Sequence, residues 1–261
     1  MMIKTENVQA VRYFCLRFGT HIWDAAVHDF VFNDNTCKRL GSGTYGVCFS
    51  AGVASNTWVT KLFDDTQSGV ESLLQEAEAM EALKDIPGIQ KMIAVCPERL
   101  TIVTEYAGES WESLLKSEDL SPRENLRIVT QVCETLDRMH ARGWVHVDVK
   151  TNNICVQRTR RGIQAKLIDF GLAVPESHRY NFESQNECWH VAPEVLLNEP
   201  ITPAADFFSV GRLLQAIDAN VCDLNPLIRM WIREAVSAEP TWRLDLYVVS
   251  ELLTRMLYST M

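Results

Sequence analysis

From Leu126 to Met139 the apolar residues Leu126, Val129, Cys133, Leu136 and Met139, with Val132 beside them, recur at helical spacing. The segment before them, SPRE, offers Ser121 as cap, Pro122 in the first turn and Glu124 to close a capping box, so a helix is predicted up to Gly143. Residues 5–31 show the same period at Val8, Val11, Phe14 and Cys15, with a break expected at Gly19-Thr20. The texture changes between Cys37 and Phe63. CKRLGSGTYGVCFSAG, a small-residue turn at Ala54-Ser55-Asn56 and TWVTKLF predict three antiparallel strands. Helical spacing returns over 70–84, strands are predicted near 92–96 and 100–106, and the chain beyond 200 reads as mostly helical. The pattern predicts an α+β chain: a small strand-rich N-terminal lobe, then a larger helical one, with no internal repeat.

One position breaks its stripe. In ESLLQEAEAMEALK, Leu73, Glu76, Met80 and Leu83 fall on one helical face, while Glu71, Gln75, Glu78 and Glu81 fall around the polar side. A carboxylate facing a core must find a cation or be protonated, because an unpaired buried charge costs several kcal/mol.

Composition narrows the functional classes. The 261 residues carry 25 Lys+Arg against 34 Asp+Glu, a formal net charge of −9, which disfavours a broad polyanion-binding face and hence nucleic acid as a partner. The start MMIKTENVQAV has charges where a signal peptide needs an apolar run, and no stretch approaches the roughly 18 apolar residues of a membrane span. A monomer inside the cell, in cytoplasm or nucleus, is expected, with no membrane partner. Eight cysteines lie scattered without a CxxC pair, so most should be inert, buried thiols.

LGSGTYGVC carries a GxGxxG pattern at Gly41, Gly43 and Gly46. A dinucleotide-binding fold needs that loop to open a helix, whereas a strand hairpin follows here. Strand, glycine loop, strand and then Lys61 in WVTK resemble the order of the protein kinase family. Further on, WVHVDVKTNN has His146, Val147, Asp148, Val149 and Asn153 where that family writes H-R-D-L-x-x-x-x-N. KLIDFGLA supplies Asp169-Phe170-Gly171, VAPEV gives Ala192-Pro193-Glu194, DFFSVG resembles D-x-W-S-x-G, and EPTWR ends on Arg243. Six motifs in family order, from residue 40 to 243, carry the resemblance.

The resemblance implies a bilobal kinase fold over 37–261, with an N-lobe over 37–104, a C-lobe over 108–261 and residues 1–36 as a helical extension. It also implies ATP and Mg²⁺ as cofactors and protein substrates as partners. Gly41, Ser42, Gly43, Thr44, Tyr45 and Gly46 would lie over the phosphates. Leu40, Cys48 and Val59 would form the adenine ceiling, with Val47, Cys155 and the hinge residues Glu105 and Ala107 also contacting the nucleotide. Val59 and Lys61 share a strand face, so one strand supplies ceiling and phosphate ligand. Lys61, held by Glu76, would bind the α and β phosphates, Asp148 would accept or orient the proton of the substrate hydroxyl, and Lys150 would touch the γ-phosphate. Asn153 and Asp169 would be the metal ligands. Asp206 would brace the catalytic loop, Arg243 would pair with Glu194, and Thr104 would guard the pocket behind adenine.

The chain also departs from the family. Val147 replaces the arginine that in many kinases grips an activation-loop phosphate, so Ser177, Tyr180 or Ser184 would lack a docking cation and activity should not depend on their phosphorylation. Lys150 points to the serine/threonine class, although Glu187 and His190 stand where that class shows threonine and tyrosine; Glu187 is a candidate partner of Lys150. Within the family, HxDVKTxN looks most like herpesvirus serine/threonine kinases. The stretch 109–112 is a candidate ribose contact, and RTRRG (158–162) reads as a solvated turn. Two other functions compete: a small-molecule phosphotransferase of the aminoglycoside-kinase type, which shares HxDxxxxN and IDFG, and a pseudokinase acting as a binding module.

Overall fold

TWVTKLF, rich in β-branched and aromatic residues, suits the interior of a sheet. The structure, a computed structural model, describes residues 3–32, 37–43, 46–53, 56–160, 162–180, 188–220 and 224–258. The chain divides into two units, Met1–Lys84 with Gln90–Tyr106, and Asp85–Ile89 with Ala107–Met261. In the first, β1 (Lys38–Gly43), β2 (Gly46–Val53) and β3 (Asn56–Phe63) pair in sequence. β4 (Met92–Cys96) and β5 (Thr101–Glu105) complete an antiparallel sheet in the order β1-β2-β3-β5-β4. Ala54 and Ser55 of the expected turn lie outside the described residues.

Two helices precede the sheet. α1 (Thr5–Phe18) buries Val11, Phe14 and Cys15 and ends where Gly19 takes φ 68, with the Thr20 amide donating to the Cys15 carbonyl. α2 (Ala25–Val31) starts at Asp24, whose side chain accepts from the Val27 amide. The interruption is therefore wider than Gly19-Thr20: Ile22 forms a parallel bridge with Val95, the Val95 amide donating to His21 and the Trp23 amide to Val95. α1 packs against α3 (Gln67–Leu83), the helix with the broken stripe. α2 lies over the sheet face opposite Val59 and Lys61, with His28 Nε2 3.1 Å from the buried Thr60 Oγ1. Arg99 forks onto Asp29, Arg12 pairs with Glu98, and Asn7 donates to Asp65 at 2.6 Å.

The second unit is built on α5 (Pro122–His140). Its capping box forms as the sequence predicts, and Leu126, Val129, Val132, Cys133, Leu136 and Met139 are all buried. α7 (Ala204–Asn220) and α9 (Leu246–Tyr258) pack on α5, and α8 (Pro226–Ala235) packs on both of those helices. β8 (Ile154–Thr159) and β9 (Gly162–Leu167) form a hairpin to which β6 (Glu109–Ser110) adds, and β7 (Trp144–Val145) pairs with β10 (Val174–Pro175). Short helices α4 (Trp111–Lys116) and α6 (Pro193–Leu196) complete the unit. This is the expected α+β arrangement, an antiparallel N-terminal sheet followed by a helical region. Among the described residues no helix is long and apolar enough to cross a membrane.

Candidate active site

In the first unit the stripe that singled out Glu76 puts its carboxylate 2.7 Å from Lys61 Nζ. Both side chains are largely buried, and the pair is long-range in sequence, joining β3 to α3. A bare lysine could not be held there, since removing either partner leaves an uncompensated charge. Val59 lies on the same strand face as Lys61. Leu40 sits exposed at the β1 irregularity between Arg39 and Gly41, and Gly41, Ser42 and Gly43 end that strand. A Cβ on Gly41 or Gly43 would meet only open space, whereas one on Gly46 would stand 2.4 Å from the Leu62 carbonyl oxygen. The first two glycines thus leave room above the backbone, and the third permits β2 to approach β3. Val47 and Cys48, both half-buried, follow in β2, opposite Leu62 and Lys61. Thr44 and Tyr45 lie outside the described residues. Glu105 ends β5, its carbonyl accepting from Gln90, which also donates to the buried Thr104 at 3.0 Å.

The second unit gathers the residues expected of a catalytic loop around one carboxylate. Asp148 Oδ2 accepts from Asn153 Nδ2 at 2.7 Å and lies 2.8 Å from Lys150 Nζ, while Oδ1 lies 2.8 Å from His190 Nε2. Burial works to raise the Asp148 carboxyl, but the hydrogen bonds from His190 and Lys150 outweigh it and hold the group below the ordinary aspartate value. Lys150 therefore rests against Asp148; Glu187, the partner suggested for it by the sequence, is outside the described residues. Ala107 and Cys155 are buried in this unit, and burial pushes the Cys155 thiol up to about 12. Trp111, in the candidate ribose stretch, is instead a core residue, fully buried with its indole N–H donating to Asn125 at 2.7 Å.

Helix α7 fixes this loop from below. Asp206, fully buried, accepts from the His146 amide at 2.9 Å, the Val147 amide at 2.8 Å and His140 Nε2 at 2.8 Å. One turn later Ser209 donates to the His190 carbonyl at 2.7 Å. Val147 is held at φ 71, a strained conformation for a β-branched residue, with its side chain buried among Val145, Val174, Val191, Val195, Ile201 and Phe208. Tyr180 packs on that cluster and donates to the Leu172 carbonyl. Arg243 forks onto Glu194 at 2.6 and 2.8 Å, and both side chains are buried.

The donor set suits a hard cation. Both amide hydrogens of Asn153 go to Asp148, one to the carbonyl at 3.0 Å and one to the carboxylate, which leaves Oδ1 as an oxygen donor. The Ile168 amide donates to the Asn153 carbonyl at 3.0 Å, which brings the segment leading into Asp169 alongside Asn153. Asp169 takes φ 60 and is half-buried, while Phe170 after it is fully buried against His146 at 5.2 Å. Among the described residues no group of three or more His, Cys, Asp or Glu is arranged to hold a metal ion by itself; one or two oxygen ligands completed by phosphates is the usual setting for Mg²⁺. Sequence reasoning missed His190 and Ser209 as neighbours of the loop. They lie 42 and 61 positions from Asp148, and no local period links them to it.

Comparison with known proteins gives one family description, Protein kinase domain, matching residues 35–221. The mouse dual specificity testis-specific protein kinase 2 is 30% identical over 198 residues, 72% of this chain and 35% of that protein. A probable serine/threonine-protein kinase of Dictyostelium discoideum is 31% identical over 208 residues, 75% of this chain and 33% of its own. The chicken smooth-muscle myosin light chain kinase is 32% identical over 227 residues, 81% of this chain and 11% of its own. The chain thus spans about a third or less of the length of these curated relatives. The likeness to herpesvirus kinases is not supported by these comparisons.

Proposed function

Given that this chain belongs to the protein kinase family, we propose that it transfers the γ-phosphate of Mg-ATP to serine or threonine hydroxyls of protein substrates, independently of activation-loop phosphorylation. The observation that carries this reading is the buried carboxylate of Asp148 held beside Lys150 and Asn153. Phosphoryl transfer asks little covalent help of a protein; positioning and charge stabilisation supply the rate. Residues 37–261 would form the kinase domain, with residues 1–36 as an extension packed on its sheet, and the protein would work as an intracellular monomer.

Lys61, fixed by Glu76, would bind the α and β phosphates, under the backbone of Gly41 to Gly46. Asn153 Oδ1 and the Asp169 carboxylate would hold Mg²⁺, which when bound neutralises the phosphate oxygens. Asp148, with its depressed pKa, is a weak base: it aligns the substrate hydroxyl and takes the proton late, as the oxygen bonds to phosphorus. Lys150 would follow the transferring group. The buried Glu194–Arg243 pair favours protein over small-molecule substrates, because the resemblance to aminoglycoside kinases does not extend to it. Independence from phosphorylation is supported by Val147, an apolar side chain where many kinases carry the phosphate-gripping arginine, buried in a cluster on which Tyr180 packs.

Labelled ATP, Mg²⁺ and a peptide library provide the test, beside Lys61→Met and Asp148→Asn. Turnover of about 1 to 100 per second is expected for the unaltered chain and none in either variant. Labelling of small alcohols but never of peptides would favour the aminoglycoside-kinase type, and nucleotide binding without transfer a pseudokinase. Phosphatase treatment should leave the rate unchanged; a large fall would refute the independence from phosphorylation.

A further inference from the structure

We propose that His190 is a positioning residue for the catalytic aspartate, locking Asp148 so that a single lone pair, on Oδ1, remains for the substrate hydroxyl; this rests on the kinase reading above. An ionised carboxylate offers about four acceptor sites. Asn153 and Lys150 fill both on Oδ2, and His190 Nε2 fills one on Oδ1. The last site is the one left for a hydroxyl proton. Because a carboxylate only accepts, Nε2 must carry the hydrogen.

The contact is specific in two ways. The imidazole is buried, and its other nitrogen, Nδ1, has no hydrogen-bond partner, so Asp148 is the only polar group the ring engages among the described residues. A buried ring that leaves Nδ1 without a partner yet spends Nε2 on a carboxylate is uncommon for a histidine that only fills space. Its backbone is also tied to the same helix as that loop. Ser209 holds the His190 carbonyl, and Asp206, three residues earlier on α7, holds the His146 and Val147 amides. One turn of helix therefore sets the spacing between histidine and aspartate. Asn153 and Lys150 pull on one oxygen and His190 on the other, so rotation of the carboxylate breaks at least one charge-assisted bond.

His190→Phe keeps the ring and removes the donor; His190→Gln restores an N–H near the Nε2 position. Loss of a hydrogen bond to a charged group predicts a fall in kcat of about 10- to 100-fold in the Phe variant, with KM for ATP and peptide changed less than about 2-fold. The Gln variant should recover most of the rate. An unchanged or raised kcat in His190→Phe, or equal losses in Phe and Gln accompanied by a higher KM, overturns the proposal. If His190→Phe does not fold, imidazole ¹⁵N spectra of the unaltered chain and of Asp148→Asn decide: the His190 signals must move, and signals that stay in place reject the contact. An unaltered chain that phosphorylates no peptide defeats the kinase reading itself and the proposal with it, whereas an active chain indifferent to position 190 defeats only the role of His190.

Discussion

Arg243 and Glu194 form a two-pronged contact out of water, and Arg243 also donates to the carbonyls of Ala204 and Ser237. Arg243→Ala would strand a buried carboxylate, and a loss of about 3–5 kcal/mol in chemical denaturation is expected. A change below 1 kcal/mol would mean that water reaches Glu194. Val147 makes the opposite point. Replacing it with the family's arginine should not create a phosphate sensor but should lower the melting temperature sharply, because a charge would enter a site lined by valines, isoleucine and phenylalanine. Single residues were legible in the sequence when a motif or a broken period exposed them: Arg243 and Asp206 stand in motifs, and each makes the contact expected of it. Glu76 stood out because it broke an apolar stripe, and it contacts Lys61. His190 lay in no stripe, and its partner is 42 positions away, so nothing short of the folded chain could reveal it.

Elements with a strong period and explicit ends were the most legible. α5 has both, and its box closes with the Ser121 hydroxyl accepting the Glu124 amide and the Glu124 carboxylate accepting the Ser121 amide at 2.9 Å. Ser121→Ala should cost about 1 kcal/mol, read from the denaturation midpoint at unchanged m-value. The two-residue strands β6, β7 and β10 left no trace, because a pair of residues is too short to show alternation and is fixed only by its neighbour. The interruption between α1 and α2 was found but underestimated: Gly19 announced it, while the bridge of Ile22 to Val95 depends on a strand some 70 positions later. α7 shows how one helix organises several others' residues, since Asp206 and Ser209 hold two separate segments from one face. Burial works to raise the Asp206 carboxyl, but bonds from His140 and the loop amide of His146 keep it low. Asp206→Ala should therefore lower kcat and loosen protection of the 146–147 amides in hydrogen exchange, with little effect on those of β3.

At the scale of the whole chain, the kinase order was legible because six motifs kept their sequence from residue 40 to 243, while the role of the first 36 residues was not, for they carry none of these motifs. Their described part is held by the ion pairs of Arg12 and Asp29, by the bridge at Ile22 and by the buried Val11, Phe14 and Cys15. The Arg99 guanidinium lowers the Asp29 carboxyl from 3.8 to about 2. That depression stabilises the fold above the ordinary aspartate range and is lost as pH falls towards 2. The stability gap between the unaltered chain and Asp29→Asn should thus shrink on acidification below about pH 4, and by a small amount, as the pair is solvent-exposed. The bridge at Ile22 carries the larger consequence. β4 is an outermost strand, and His21 to Trp23 are what occupy its outward amide and carbonyl at Val95. Trimming the chain ahead of Cys37 would bare a hydrogen-bonding margin able to recruit the same margin of another copy, so the shortened protein should associate in sedimentation in proportion to its concentration.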